Sequence, residues 1–166
     1  MNYWNIIIGN IWILLAMFTD SFSSGQKTVK RTLWMQNLSQ AFYGASSIFA
    51  NAYSACAQNV VSIIRNLVAI RKISAKWIEW FLTILGVILG LVFNNRGWIG
   101  LLPIIANLQY TIVIFRFRGN ERILKASFLV NALMFSVFNG AVGLFVGVFT
   151  NLVVAVSTGI SLIRRR

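Results

Sequence analysis

Acidic residues are what this chain has least of. Three Asp and Glu stand against fifteen Lys and Arg, histidine is absent, and cysteine and proline occur once each in 166 residues. One cysteine, Cys56, excludes a disulfide scaffold and leaves too few thiolates for a zinc or iron-sulfur site. It reads as a small buried residue. Without histidine the chain lacks the usual general base and the commonest metal ligand. Asp20, Glu79 and Glu121 fall in separate segments and form no carboxylate pair. No nucleotide-binding glycine motif occurs. The sequence therefore predicts no enzyme, no cofactor and no metal.

Charge of either sign is also sparse, at 11% of residues, where a soluble domain carries roughly 25% to coat its surface. A hydrophobic content of 58% excludes disorder. The net charge of +12 would suit nucleic acid only if set on a polar surface, and little polar surface exists. What remains is an all-α, polytopic integral membrane protein with the lipid bilayer as its first partner and no nucleic acid.

A hydrocarbon core about 30 Å thick takes about 20 apolar residues per helix, with 17 still workable. Seven spans follow: 3–19, 33–50, 52–70, 77–93, 98–115, 123–138 and 142–163. Asn51 alone separates the second from the third, and Asn139-Gly140-Ala141 the sixth from the seventh, as in tight helical hairpins. The whole chain, 1–166, reads as one membrane domain. The first span lacks a basic n-region and a small-residue cleavage site, so it is expected to be retained.

Basic residues fix the expected orientation. Lys27, Lys30 and Arg31 lie in the first loop, and Arg65, Arg71, Lys72 and Lys76 around the third. Arg116, Arg118, Arg122 and Lys125 flank the fifth, and Arg164, Arg165 and Arg166 follow the last span. Only Arg96 lies on the other side. This alternation predicts an outer N-terminus and a cytoplasmic C-terminus. It also accounts for the net charge without a nucleic-acid surface.

An offset near 94 relates the two halves: Trp4 to Trp98, Gly9 to Pro103 and Asn37 to Asn131, with Asn59 to Asn151 and Lys72 to Arg164 at 92. Spans one to three (1–72) would then repeat as spans five to seven (97–166), joined by a linker helix (73–96). Both triplets start outside and end inside, so the 3+1+3 layout is a parallel repeat about an axis along the membrane normal. Gly9 and Pro103 are candidate helix hinges.

Polar residues within spans face the bundle interior or a watery cavity, because hydrocarbon cannot solvate them. Span three carries Asn51, Ser54, Gln58, Ser62 and Arg65 at steps of three and four, with Asn59 and Asn66 adjoining. Span two offers Gln36, Asn37, Ser39, Gln40 and Tyr43, span five Gly100, Pro103 and Asn107. Span seven offers Gly143, Gly147, Thr150, Asn151, Thr158 and Ser161. Asn59 and Asn151, mid-span in corresponding helices, suit a neutral polar solute because an amide both donates and accepts. Arg65 lies within snorkelling reach of the cytoplasmic face. Span four, with Glu79 its one strongly polar residue, is expected to face lipid, and Gly86 and Gly90 to serve helix packing. Trp4, Trp34, Trp77, Trp80 and Trp98 mark span ends as interfacial anchors.

The stretch Gly100-Leu101-Leu102-Pro103-Ile104-Ile105, the basic loop from Arg116 to Arg122, and Ile163-Arg164 resemble the YgjV family of small bacterial inner-membrane proteins. Tyr43-Gly44 and Ser62-Ile63-Ile64-Arg65 extend the likeness over nearly the whole chain. Ser62 stands where the family often has Asn, and its span-two histidine is missing. The family is similar in layout to the SWEET, PQ-loop and nicotinamide-riboside transporters. That likeness implies a pocket of Asn59, Asn151, Gln40 and Phe135, with Ser62 nearby. The functional expectation is a facilitative transporter of a small polar solute through a midplane site. A receptor or assembly subunit on the same fold is the alternative, and a homo-oligomer is compatible with either.

Overall fold

A computed structural model describes residues 3–24, 29–71, 73, 75–117 and 121–164. Lys27, Lys72, Arg118, Arg165 and Arg166 of the charge pattern, and the side chains of Ser161 and Arg164, lie outside the described residues. Seven helices and no strand occur among those described: α1 (Tyr3–Ser24), α2 (Val29–Phe49), α3 (Tyr53–Ile70), α4 (Lys76–Val92), α5 (Gly97–Arg116), α6 (Glu121–Ala141) and α7 (Phe145–Arg164).

Their positions follow the apolar segments of the sequence, with three corrections. α2 begins at Val29 rather than Leu33, so Lys30 and Arg31 lie in its first turn and not in a loop. α1 does not stop at Thr19 but continues through Asp20 to Ser24, because Tyr43 on α2 donates a 3.1 Å hydrogen bond to the Asp20 carboxylate and gives it a partner inside the helix pair. α6 runs through Asn139-Gly140-Ala141 rather than ending there. The turn falls at Gly143, whose φ of 81° only glycine adopts without strain.

Both hairpin turns are closed by one hydrogen-bond pattern. In the first, Ala50 N–H donates to Ser46, Asn51 to Ile48 and Ala52 to Ser47; in the second, Val142 donates to Phe138, Gly143 to Gly140 and Leu144 to Asn139. Each bond of one turn matches a bond of the other displaced by 92 residues. Asn51, with φ 50°, and Gly143 occupy the same left-handed position, which Asn and Gly tolerate best.

Successive helices pack side by side, and two further contacts close the set: α3 meets α5, and α1 meets α7. Six helices thus form a ring in the order α1, α2, α3, α5, α6, α7, with α4 laid along the α3–α5 seam. Within each triplet the middle helix separates the other two, so each is an open arc rather than a closed three-helix bundle. α4 is not detached as a lipid-facing linker would be. It buries Leu82, Gly86 and Gly90 against α3 and α5 and exposes Trp77, Trp80, Ile84, Ile88 and Leu91 on its other side.

The radial distribution reverses that of a soluble domain. Buried positions hold small or polar residues, among them Ser39, Ser54, Gln58, Asn66 and Ser136, around a compact apolar cluster of Ile13, Ala52, Phe138 and Leu144. Large aliphatic and aromatic side chains such as Ile11, Val60, Val137 and Val156 face outward. Among the described residues, α1 alone, over Tyr3–Asp20, is long and apolar enough by length and composition to cross a membrane. α5 and α7 carry shorter apolar stretches, Gly97–Val113 and Phe145–Ile160. In α2, α3 and α6 the inward-facing Asn, Gln, Ser and Arg lower the average hydropathy of each helix while much of the outer face stays aliphatic.

Candidate functional site

The polar face expected on α3 is present and buried. Ser54, Gln58, Asn59, Ser62, Arg65 and Asn66 are all in the interior. Three elements use it. Gln58 donates from Nε2 to the Gly86 carbonyl of α4 at 2.7 Å, and Asn107 of α5 donates to the Gln58 carbonyl and Oε1 at 3.3 and 3.2 Å. The glycines of α4 permit this approach. A Cβ at Gly90 would stand 2.6 Å from both Gln58 Nε2 and Ile104 Cγ1, and one at Gly86 would lie 3.4 Å from Val61. The packing role expected of this glycine pair is what the structure shows, with a side-chain hydrogen bond added to it.

One turn further along, Arg65 donates from Nη1 to the Thr111 hydroxyl at 3.0 Å, and its guanidinium lies 5.4 Å from the centre of the Tyr110 ring. Arg65 is 6% exposed, and its Nε has no partner among the described residues. It does not snorkel. The neighbouring α5 offers a hydroxyl and a ring face at the depth of Arg65, which turns the side chain inward. Gln58, Ser62, Arg65, Thr83, Asn107 and Thr111 line a small cavity of about 10 Å³. That is about the least space that holds one water. A separate groove of about 250 Å³ between α4 and α5 is lined by Glu79, Trp80, Ile112 and Arg116, with Arg116 5.7 Å from the Trp80 ring.

The residues expected to bind solute are distributed differently. Asn59 is buried with its Cβ toward Gly44 of α2, and no hydrogen bond among the described residues engages its amide. Asn151 is half-buried and donates to Gly147 of its own helix at 2.8 Å. α3 and α7 do not pack on one another, so the pair is not in contact. Gln40 and Phe135 are half-buried on α2 and α6, and Ser62 lines the α3–α4–α5 cavity. Gly9 packs near Leu144, and Pro103 is buried within α5. Cys56 is half-buried rather than fully enclosed.

Sequence reasoning overlooked Thr111 and Thr83. Thr111 could have been found, because Asn107 and Thr111 lie four apart on α5, the same step that relates Gln58 to Ser62 on α3. It also overlooked Asn10, which clamps the second turn from α1: its Nδ2 donates to the Gly143 carbonyl at 3.3 Å and its Oδ1 accepts from Val146 N at 2.9 Å. Asn95 does the same at the first turn, donating to the Asn51 carbonyl at 2.8 Å and accepting from Tyr53 N at 3.3 Å.

A helical chain with a polar interior and an aliphatic exterior meets the requirement of an integral membrane protein, which has lipid rather than water to satisfy on the outside. The chain belongs to the Imp-YgjV family of bacterial inner membrane proteins, whose family model matches residues 7–166. No curated protein and no solved structure matches it.

Proposed function

We propose that this inner-membrane protein is a facilitative transporter of a small polar solute, built as two parallel three-helix repeats joined by α4. The observation that carries the reading is the internal equivalence. Two hairpin turns share one hydrogen-bond pattern at an offset of 92, and the ring maps onto itself when α1, α2 and α3 are exchanged for α5, α6 and α7. The α3–α5 contact then corresponds to the α7–α1 contact, and α4 is the unmatched element.

A ring of this symmetry has an axis, and Asn59 and Asn151 are equivalent about it at the same offset as the turns. Among the described residues no hydrogen bond engages the Asn59 amide, and the Asn151 amide is engaged within its own helix. Across a pore axis, two such amides recognise a neutral solute by donating and accepting at once. Gln40 and Phe135 extend the site, and Gly9 and Pro103 are where α1 and α5 flex. Against the receptor or assembly alternative, this reading gives the repeat a purpose, since exchange of two equivalent halves supports alternating access.

The test is a stability screen of purified protein with neutral sugars, polyols and nucleosides, followed by counterflow of any stabilising solute in proteoliposomes. Transport above empty vesicles is expected. Asn59→Ala and Asn151→Ala should each weaken affinity about tenfold, from loss of one or two hydrogen bonds, with little change in thermal stability. Stabilisation by a solute without counterflow would favour the receptor reading, and variants that lose stability but keep affinity would make the pair a helix contact.

A further inference from the structure

The groove of about 250 Å³ between α4 and α5 opens on the outer side of the bundle, with Trp80 and Ile112 exposed along it. Gly90 meets Ile104 and Trp80 meets Arg116, so the two helices run antiparallel. Glu79, near the start of α4, and Arg116, at the end of α5, therefore stand at one end of the groove. Thr83 and Ile112 line it four residues deeper on each helix, a rise of about 6 Å. The charged end is the basic side of the chain, where Arg71 caps α3 and Lys76 opens α4. From that end inward the lining passes from charged to uncharged and aliphatic, the same gradation that a phospholipid shows from headgroup to acyl chain.

Arg116 is placed by an aromatic ring. Its guanidinium carbon lies 5.7 Å from the centre of the Trp80 ring, a cation–π distance, and no hydrogen bond among the described residues engages its N–H groups. A guanidinium fork donates to two oxygens of one phosphate at once. Glu79 brings one negative charge to the same groove. A carboxylate has about four lone-pair sites, so it accepts from an ammonium beside any other partner. One cation and one anion side by side complement a zwitterion, and Glu79 disfavours a headgroup of net negative charge.

We propose that the α4–α5 groove binds one phospholipid with a zwitterionic, ethanolamine-type headgroup. Arg116 takes its phosphate, Glu79 its ammonium, and Ile112 and Phe115 the first part of its acyl chains. The groove is smaller than the roughly 300–1,000 Å³ of a site that encloses a whole ligand, so the remainder of the chains stays in the bilayer. The site faces outward from the ring and stands independently of the transport reading.

Native mass spectrometry of the purified full chain, delipidated in nonionic detergent and titrated with short-chain phosphatidylethanolamine or phosphatidylglycerol, tests it. One saturable phosphatidylethanolamine per chain is expected, with phosphatidylglycerol weaker by about tenfold and free phosphoethanolamine unable to displace the lipid. Arg116→Gln should weaken phosphatidylethanolamine binding about tenfold, from loss of a charged hydrogen bond. Glu79→Gln should remove the preference between the two lipids, a change that loss of packing alone would not produce. Arg71→Gln, at an exposed position outside the groove, should bind like wild type. No saturable adduct, equal or stronger binding of phosphatidylglycerol, displacement by phosphoethanolamine, or an Arg116→Gln protein that binds like wild type would each overturn the proposal. If Arg116→Gln fails to fold, the lipid preference of the wild-type chain and its loss in Glu79→Gln still decide.

Discussion

At the residue scale, glycine and amide side chains do what large apolar residues do in a soluble core. Gly90 has no room for a methyl group, since Gln58 and Ile104 fill the position at 2.6 Å. Gly140, exposed on α6, would meet only Val148 at 3.6 Å. Gly90→Ala should therefore destabilise the protein by about 1–3 kcal/mol through overpacking. Gly140→Ala should be neutral or stabilising by up to about 1 kcal/mol through reduced backbone entropy. Thermal unfolding in detergent, comparing the two variants, checks this, and equal effects would contradict the α4 packing described. The packing role of Gly86 and Gly90 was legible from their spacing. The partner was not, because helix periodicity gives the face that Gln58 occupies but not which helix stands opposite.

At the element scale, the hairpins and their clamps hold the ring in register. Arg96, the single exception to the charge alternation, is accounted for here. Its Nε donates to the Asn51 carbonyl at 3.0 Å and its Nη2 to that of Ala50, at the C-terminal end of α2 where carbonyls lack helical partners and a positive charge is favoured. The left-handed residues give a graded prediction. Asn51→Gly should cost little beyond the Tyr53 contact to Asn51 Oδ1. Gly143→Val should cost about 1–3 kcal/mol for a β-branched residue at φ 81°. Melting temperatures of the two variants measure the contrast, and a Gly143→Val protein as stable as wild type would exclude the turn geometry. The sequence disclosed the first turn because Asn51 is a lone polar residue between two apolar runs. It misplaced the second because Asn139 and Gly140 imitate a turn, although the chain reverses only where Gly143 supplies the positive φ.

At the scale of the whole molecule, family membership places the chain in the bacterial inner membrane, and the alternating basic loops supply the proposed orientation. A reporter that fluoresces only in the cytoplasm, fused after Arg166, should be bright, and alkaline phosphatase there should be silent. Active phosphatase would require an even number of spans or the opposite orientation. Composition and apolar run length made the seven helices legible with ends correct to a few residues. Ring closure was not legible, because the α1–α7 and α3–α5 contacts join segments far apart in sequence, and the amide side chains that make them, Asn10, Gln58 and Asn107, do not name their partner helix. That closure underlies the proposed axis, so cysteine cross-linking of the α1–α7 seam is the most direct test. In a Cys56→Ser background, Gly9→Cys with Leu144→Cys puts one thiol where the Leu144 side chain now approaches within 3.0 Å of a Cβ at position 9. Oxidation in native membranes should give an intramolecular cross-link for this pair and none for Gly9→Cys with Ile84→Cys on α4. Failure of the first pair, or equal cross-linking of both, would contradict the ring.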